Sequence, residues 1–316
     1  MKFLLALALI SASAVNAAQI KYKCNPEKTV RKFGDFEYIV DCNDGGKQLK
    51  EDTKNKVLQF GLSKTPGPNG MNDVRGIRIR SKNPAKTGEF CATMKANINE
   101  RNAFEGGNFA FYLGREIDDN SEKSKPHPPG EGSARDRSNW DEIDFEFLTK
   151  FPNMVHTNLY KNHVAGGLPK PSQYEAYDIQ HMQKSTYDKI YPQTNKDMRK
   201  GWEGPISTEK YQRFCVQWGY GFAKWLVDGK QIRFDDSKWG IKNGDGIPAL
   251  HPAINGDPRT ATDNDWKDLY GYISFWGDEA SWLMGNIGKV AGNREAWADV
   301  KDICFQNKLD GCKKSM

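Results

Sequence analysis

Across residues 140–148, Ile143, Phe145 and Phe147 alternate strictly with Glu142, Asp144 and Glu146. Period two is the strand period, so this spacing predicts a strand with three carboxylates on one face and apolar side chains on the other. Shorter segments repeat the theme. Residues 36–40 alternate, residues 57–60 are strand-like, and Thr65-Pro66-Gly67-Pro68-Asn69-Gly70 is turn chemistry. Asp228-Gly229, between residues 224–227 and 230–234, signals a two-residue hairpin of the I′ kind. Long helical periodicity is missing. Many short strands separated by turn signals predict an all-β chain folded as a β-sandwich.

The acidic face of residues 142–146 is unusual for a purely structural strand. Acids alternating with apolar residues also describe a solvated edge strand, but such a face normally mixes in cations, and like charges side by side are destabilising. A strand rises about 3.3 Å per residue, which separates the backbones of Glu142 and Glu146 by roughly 13 Å. Side-chain reach can bring their carboxyl groups to roughly 5–6 Å, the separation at which one carboxylate attacks a glycosidic carbon while the other transfers a proton.

The stretch Trp140-Asp141-Glu142-Ile143-Asp144-Phe145-Glu146-Phe147-Leu148 resembles the catalytic signature of glycoside hydrolase family 16. Other segments resemble the family in the same order. They include Gly76-Ile77-Arg78-Ile79-Arg80-Ser81-Lys82, Gly88-Glu89-Phe90, Asn108-Phe109-Ala110-Phe111-Tyr112-Leu113 and His156-Thr157-Asn158-Leu159-Tyr160. Lys224-Trp225-Leu226-Val227-Asp228-Gly229 and Ile273-Ser274-Phe275-Trp276 continue the likeness, which runs from about residue 55 to about 305. It implies a concanavalin A-like jelly roll with a concave substrate cleft. It also implies a retaining reaction, with Glu142 as nucleophile, Glu146 as acid/base and Asp144 positioning the nucleophile. Ionised Glu142 and Asp144 would keep Glu146 protonated for the first step. Trp140, Trp276 and Trp282 are the candidate stacking platforms for sugar, and Asn158 and Tyr160 the candidate partners of sugar hydroxyls. Trp225 is assigned to the core.

The rest of the sequence sets the context. Residues 1–18 have a charged start, a short apolar run and small residues near Ala17 and Ala18, the pattern of a secretory signal peptide and too short to span a bilayer. The expectation is a secreted chain, monomeric and not bound to a membrane after cleavage, with association with a cell wall left open by the family likeness. Residues 19–316 are expected to form a single catalytic domain, with a cysteine-containing N-terminal extension and a long insert at about 168–210 for which two roles are open: edging the cleft, or a surface elaboration packing on itself. The net charge of +5 is dispersed without a basic block, which argues against nucleic acid. Six cysteines in an exported chain predict up to three disulfides; fifteen pairings are open, and short loops favour Cys24–Cys42 and Cys304–Cys312, leaving Cys91 with Cys215. No Cys-x-x-Cys or His spacing supports zinc, no metal ligands are assigned, and no cofactor is expected. Asn243-Gly244-Asp245-Gly246 suits a turn as well as a calcium ligand.

The expected partner is a polysaccharide of the β-glucan type. By resemblance, the signature lacks the extra residue of laminarinase-type members, which points to the licheninase, xyloglucan and transglycosylase branches. Hydrolysis and cell-wall transglycosylation use the same residues, so transfer stands as the alternative. A non-catalytic glucan-binding or wall protein is the second alternative, and it is disfavoured because both glutamates are present.

Overall fold

In the computed structural model, the described residues are 27, 29–43, 47–66, 72–98, 105–114, 141–151, 153–161, 175–176, 179–182, 206–219, 222–236, 269–277 and 292–312. The regular elements among them are all strands. In chain order they are β1 (Val30–Phe33), β2 (Phe36–Asn43), β3 (Leu49–Asp52), β4 (Val57–Pro66), β5 (Asn72–Arg75), β6 (Ile77–Ser81), β7 (Gly88–Lys95) and β8 (Gly107–Gly114). Then follow β9 (Asp141–Leu148), β10 (Met154–Lys161), β11 (Glu175–Ala176), β12 (Ile179–Met182), β13 (Gln212–Gly219), β14 (Phe222–Val227), β15 (Lys230–Asp236), β16 (Tyr270–Gly277) and β17 (Arg294–Gln306).

These strands form two antiparallel sheets. The first has the order β1-β2-β6-β16-β8-β9-β10-β11, with β12 also paired to β10. The second has the order β15-β14-β13-β7-β17-β4-β3, with β5 paired to β4. In both sheets a late strand enters the middle: β16 lies between β6 and β8, and β17 between β7 and β4.

Period-two alternation explains how the sheets stack. Ile143, Phe145 and Phe147 of β9 point inward beside Phe109, Phe111 and Leu113 of β8 and Ile273 and Phe275 of β16. They meet Phe60 of β4, Phe90 of β7 and Phe214 of β13 from the second sheet. Phe90 stacks on Phe111 with centroids 4.1 Å apart, and Phe214 sits 5.3 and 5.1 Å from Phe145 and Phe147. Each fully buried aromatic or aliphatic side chain of this kind contributes about 1.5–3 kcal/mol of transfer free energy, so the apolar face of β9 fixes the strand against the opposing sheet.

The hairpin at Asp228-Gly229 forms as its sequence requires. Both residues have positive φ, 49° and 77°, and Val227 pairs directly with Lys230. The Asp228 carboxylate also accepts hydrogen bonds from Gln212 Nε2 and the Arg213 amide, each 2.9 Å. Thr65 and Pro66 depart from the turn assigned to them. They are the last two residues of β4, and Pro66 ends the strand opposite Asn72, a position where its missing N–H is tolerated. The turn residues 67–70 lie outside the described residues.

Cys91–Cys215 and Cys304–Cys312 are disulfide-bonded. Cys24 lies outside the described residues, as do residues 1–18, read above as a signal peptide, residues 115–140 and the Asp/Gly stretch at 243–246. Of the insert at about 168–210, β11 and β12 are described, and both extend the first sheet beyond β10.

Candidate active site

Four rows of side chains cross the outward face of the first sheet, set by the antiparallel register. Glu142 of β9 stands beside Gly114 of β8, which pairs with Tyr270 of β16. Asp144 stands beside Tyr112, then Tyr272, then Arg80 of β6. Glu146 stands beside Ala110, then Ser274, then Arg78. Leu148, Asn108 and Trp276 form the fourth row. On the other flank, β10 sets Tyr160, Asn158 and His156 directly opposite Glu142, Asp144 and Glu146.

The three acids therefore share one face of one central strand. They differ in exposure: Glu142 is partly exposed, Asp144 is fully buried and Glu146 is 5% exposed. The β8 neighbours of the two glutamates are the small residues Gly114 and Ala110, while Asp144 is flanked by the large Tyr112. Asn108 Nδ2 donates to Glu146 Oε1 at 2.6 Å, a short bond that holds the carboxyl in place. Asn108 Oδ1 and Ser274 Oγ are buried on this face without a hydrogen-bond partner among the described residues.

Tyr112 and Tyr272 stack with centroids 4.9 Å apart and planes 8° apart. Burial pushes the Tyr112 phenol well above its ordinary range; Arg78 opposes this and the Glu142 carboxylate adds to it. Tyr272 is raised too, chiefly by burial, then by Tyr112 and Asp41. Both phenols are therefore neutral around neutral pH. Arg78 is anchored to Asp41 at 2.5 Å, and Arg80 lies 3.7 Å from the same carboxylate and over the Tyr270 ring. Asp41 reaches them because the β2–β6 register shifts between Val40 and Cys42, leaving Asp41 as the extra residue of a bulge.

Beneath the acids, two side chains of the second sheet cross the core. Trp225 Nε1 of β14 donates to the backbone carbonyl of Asp144 at 2.8 Å. Arg233 of β15 is buried over the Trp225 ring, 4.4 Å from its centroid. It donates to Thr157 O at 2.7 Å and to Thr157 Oγ1 at 3.3 Å. The core position expected of Trp225 is observed, and its indole N–H adds a tether to the acidic strand.

Among the residues expected to bind substrate, Asn158 is buried beside Asp144, and Trp276 is partly exposed at the end of the Asn108 row. Tyr160 occupies the strand position opposite Glu142. Trp140 and Trp282 lie outside the described residues. The sequence reading did not single out Tyr112, Tyr272, Asn108, Ser274, Arg78 or His156. Each lies at alternate positions of a strand whose other face is apolar, so the signal that marked β9 was present in β6, β8 and β16 as well. Among the described residues the carboxylate–sulfur group with metal-like spacing is Glu89, Cys91 and Cys215, and both of its sulfurs are consumed by the disulfide.

The sequence pattern of glycosyl hydrolases family 16 matches residues 37–253. No curated protein matches the chain. Among solved structures, a lichenase from a mouse hindgut metagenome is 18% identical, with 80% of this chain and 83% of that one covered and a TM-score of 0.41. A Bacillus licheniformis β-glucanase is 17% identical over 81% and 83%, TM-score 0.41. The catalytic domain of a Thermotoga petrophila laminarinase is 12% identical over 83% and 82%, TM-score 0.46. With the family match spanning well over half of the 316 residues and taking in all three carboxylates, the chain belongs to glycosyl hydrolase family 16 and is a glycan-active enzyme.

Proposed function

We propose that the chain is an exported, retaining endo-β-glycanase acting on a β-glucan-type polysaccharide. The observation that carries this reading is the placement of Glu142, Asp144 and Glu146 on one face of one central strand, with small neighbours on β8 beside both glutamates. Glu142, the more exposed acid, attacks the anomeric carbon as the glycosidic C–O bond breaks, and Glu146 gives its proton to the departing oxygen. A water then passes a proton to Glu146 while its oxygen displaces Glu142, which returns the enzyme to its starting state. Asp144, buried between them, keeps Glu142 oriented and, with Glu142 ionised, keeps Glu146 protonated until the first bond breaks.

The surrounding chemistry suits a polyhydroxylated ligand. Neutral phenols of Tyr112 and Tyr272, the unpartnered Asn108 Oδ1 and Ser274 Oγ, and the partly exposed Trp276 supply donors, acceptors and an aromatic surface on the same face. Two disulfides fit an oxidising compartment and support export.

Glu142→Gln and Glu146→Gln are each expected to lower kcat at least about a hundredfold on the glucan that the wild type turns over. Anomeric proton signals of the first-formed product report the stereochemistry. Substantial residual turnover in either variant, or inversion at the anomeric carbon, overturns the assignment. A labelled acceptor sugar in the same reaction separates hydrolysis from transfer: label entering longer chains with few new reducing ends identifies a transglycosylase.

A further inference from the structure

On the outward face of the second sheet, across the core from the carboxylates, Trp297 of β17 lies flat over the backbone of Gly61, its directly paired neighbour on β4. A Cβ at Gly61 would come within 2.8 Å of the ring, so glycine is what lets the indole lie down there. The ring is partly exposed and forms one wall of a concavity of about 630 Å³. The rim is polar. Gln48 is buried, donates to Ser63 Oγ at 3.2 Å and accepts from the Lys47 amide at 3.2 Å, which fixes its amide group. Lys50 Nζ stands 3.8 Å from the ring centroid, and Lys47, Arg75 and Glu295 complete the rim. Among the described lining residues Lys47, Lys50 and Arg75 are cationic and Glu295 is a carboxylate.

We propose that this concavity binds an acidic polysaccharide, with one pyranose ring stacked on Trp297 and its acid group held by Lys50, Lys47 and Arg75. A flat aromatic surface with an amide and a hydroxyl beside it fits the C–H face and hydroxyl edge of a sugar. Lys50 decides the class. A neutral sugar must push the ammonium off the ring and lose the cation–π contact, whereas a sugar bearing a carboxylate or sulfate gives that ammonium a new partner. The site is separate from the acids of β9, so it holds polymer without taking part in bond cleavage.

The test is affinity electrophoresis of the full-length mature chain through gels containing polygalacturonate, a sulfated galactan or neutral laminarin. Wild type is expected to be retarded by at least one acidic polymer, and the two acidic gels tell carboxylate from sulfate. Trp297→Ala and Lys50→Gln are each expected to weaken that retardation at least fivefold, and Trp297→Tyr to retain most of it. Gly61→Ala keeps the tryptophan but lifts its ring, and is expected to weaken binding as Trp297→Ala does. Thermal midpoints within a few degrees of wild type confirm that the variants are folded. Equal retardation of wild type and Trp297→Ala would reduce the effect to the overall positive charge and overturn the proposal. Retardation by laminarin alone, insensitive to Lys50→Gln, would overturn the acidic class; no retardation in any gel would overturn the site.

Discussion

Glu146 is the acid whose surroundings can be altered most cleanly, because Asn108 donates to one of its oxygens at 2.6 Å. Asn108→Ala removes the donor and is expected to lower kcat about tenfold with a smaller change in KM, a loss within the range for general acid–base groups. Asn108→Asp puts a further carboxylate beside Glu146. Like charges favour the protonated form, so the alkaline limb of the kcat/KM profile is expected to move up by about one pH unit; an unmoved limb would detach Glu146 from the acid step. Asp299 serves stability instead. Burial alone would raise its carboxyl, but the hydrogen bonds from Gln59 at 2.9 Å and Lys95 at 3.1 Å outweigh it and hold the group below its usual 3.8. A lowered carboxylate stabilises the fold above its unfolded pKa, and that contribution is lost as pH falls through the folded value. Asp299→Asn, at a site partly open to solvent screening, is therefore expected to cost about 1 kcal/mol at neutral pH. The gap to wild type, measured by urea denaturation, is expected to narrow as pH falls below about 4.

At the scale of elements, β9 is held from two directions, by its neighbours in the sheet and by Trp225 from beneath, while Arg233 lies on the Trp225 ring and bonds Thr157 of β10. Trp225→Phe keeps an aromatic ring but removes the donor to Asp144 O. It is expected to destabilise the fold by about 1–3 kcal/mol and to lower kcat with little change in KM, since the carbonyl it releases belongs to the residue between the two glutamates. Arg233→Lys cannot reproduce a planar group lying on Trp225 while bonding Thr157, and is expected to shift kcat in the same direction. Much of this was legible in the chain. Alternation assigned β9 and its acidic face, turn chemistry assigned the Asp228-Gly229 hairpin, and the general tendency of tryptophan to be buried placed Trp225 in the core. Register was not legible, because nothing local says that Tyr272 will lie beside Tyr112 or that Ser274 will lie beside Ala110. Arg233 looked like an ordinary polar position of a hairpin strand; its burial depends on Thr157, on another sheet. Asp41 was hidden by a bulge, which breaks the period that reveals every other residue on that face.

At the scale of the whole molecule, the two described disulfides brace very different lengths of chain. Cys91 and Cys215 face each other on β7 and β13 with a separation of 124 residues that contains β8 through β12, while Cys304 and Cys312 are 8 residues apart. Chain-entropy reasoning gives about 5 kcal/mol for the long closure and about 2.5 kcal/mol for the short one. Replacing Cys91 and Cys215 by serine is therefore expected to lower the urea midpoint about twice as much as replacing Cys304 and Cys312. The central places of β16 and β17 bear on the order in which the protein comes into being. A nascent chain carries Glu142, Asp144 and Glu146 long before it carries Tyr272, Ser274 or Trp276. Until the C-terminal strands arrive, each sheet is two separate pieces, β6 parted from β8 and β7 parted from β4. Such distant pairings make folding slow and all-or-none. A chain cut short of residue 270 carries the acids without Tyr272, Ser274 and Trp276, which share the outward face of the sheet with them.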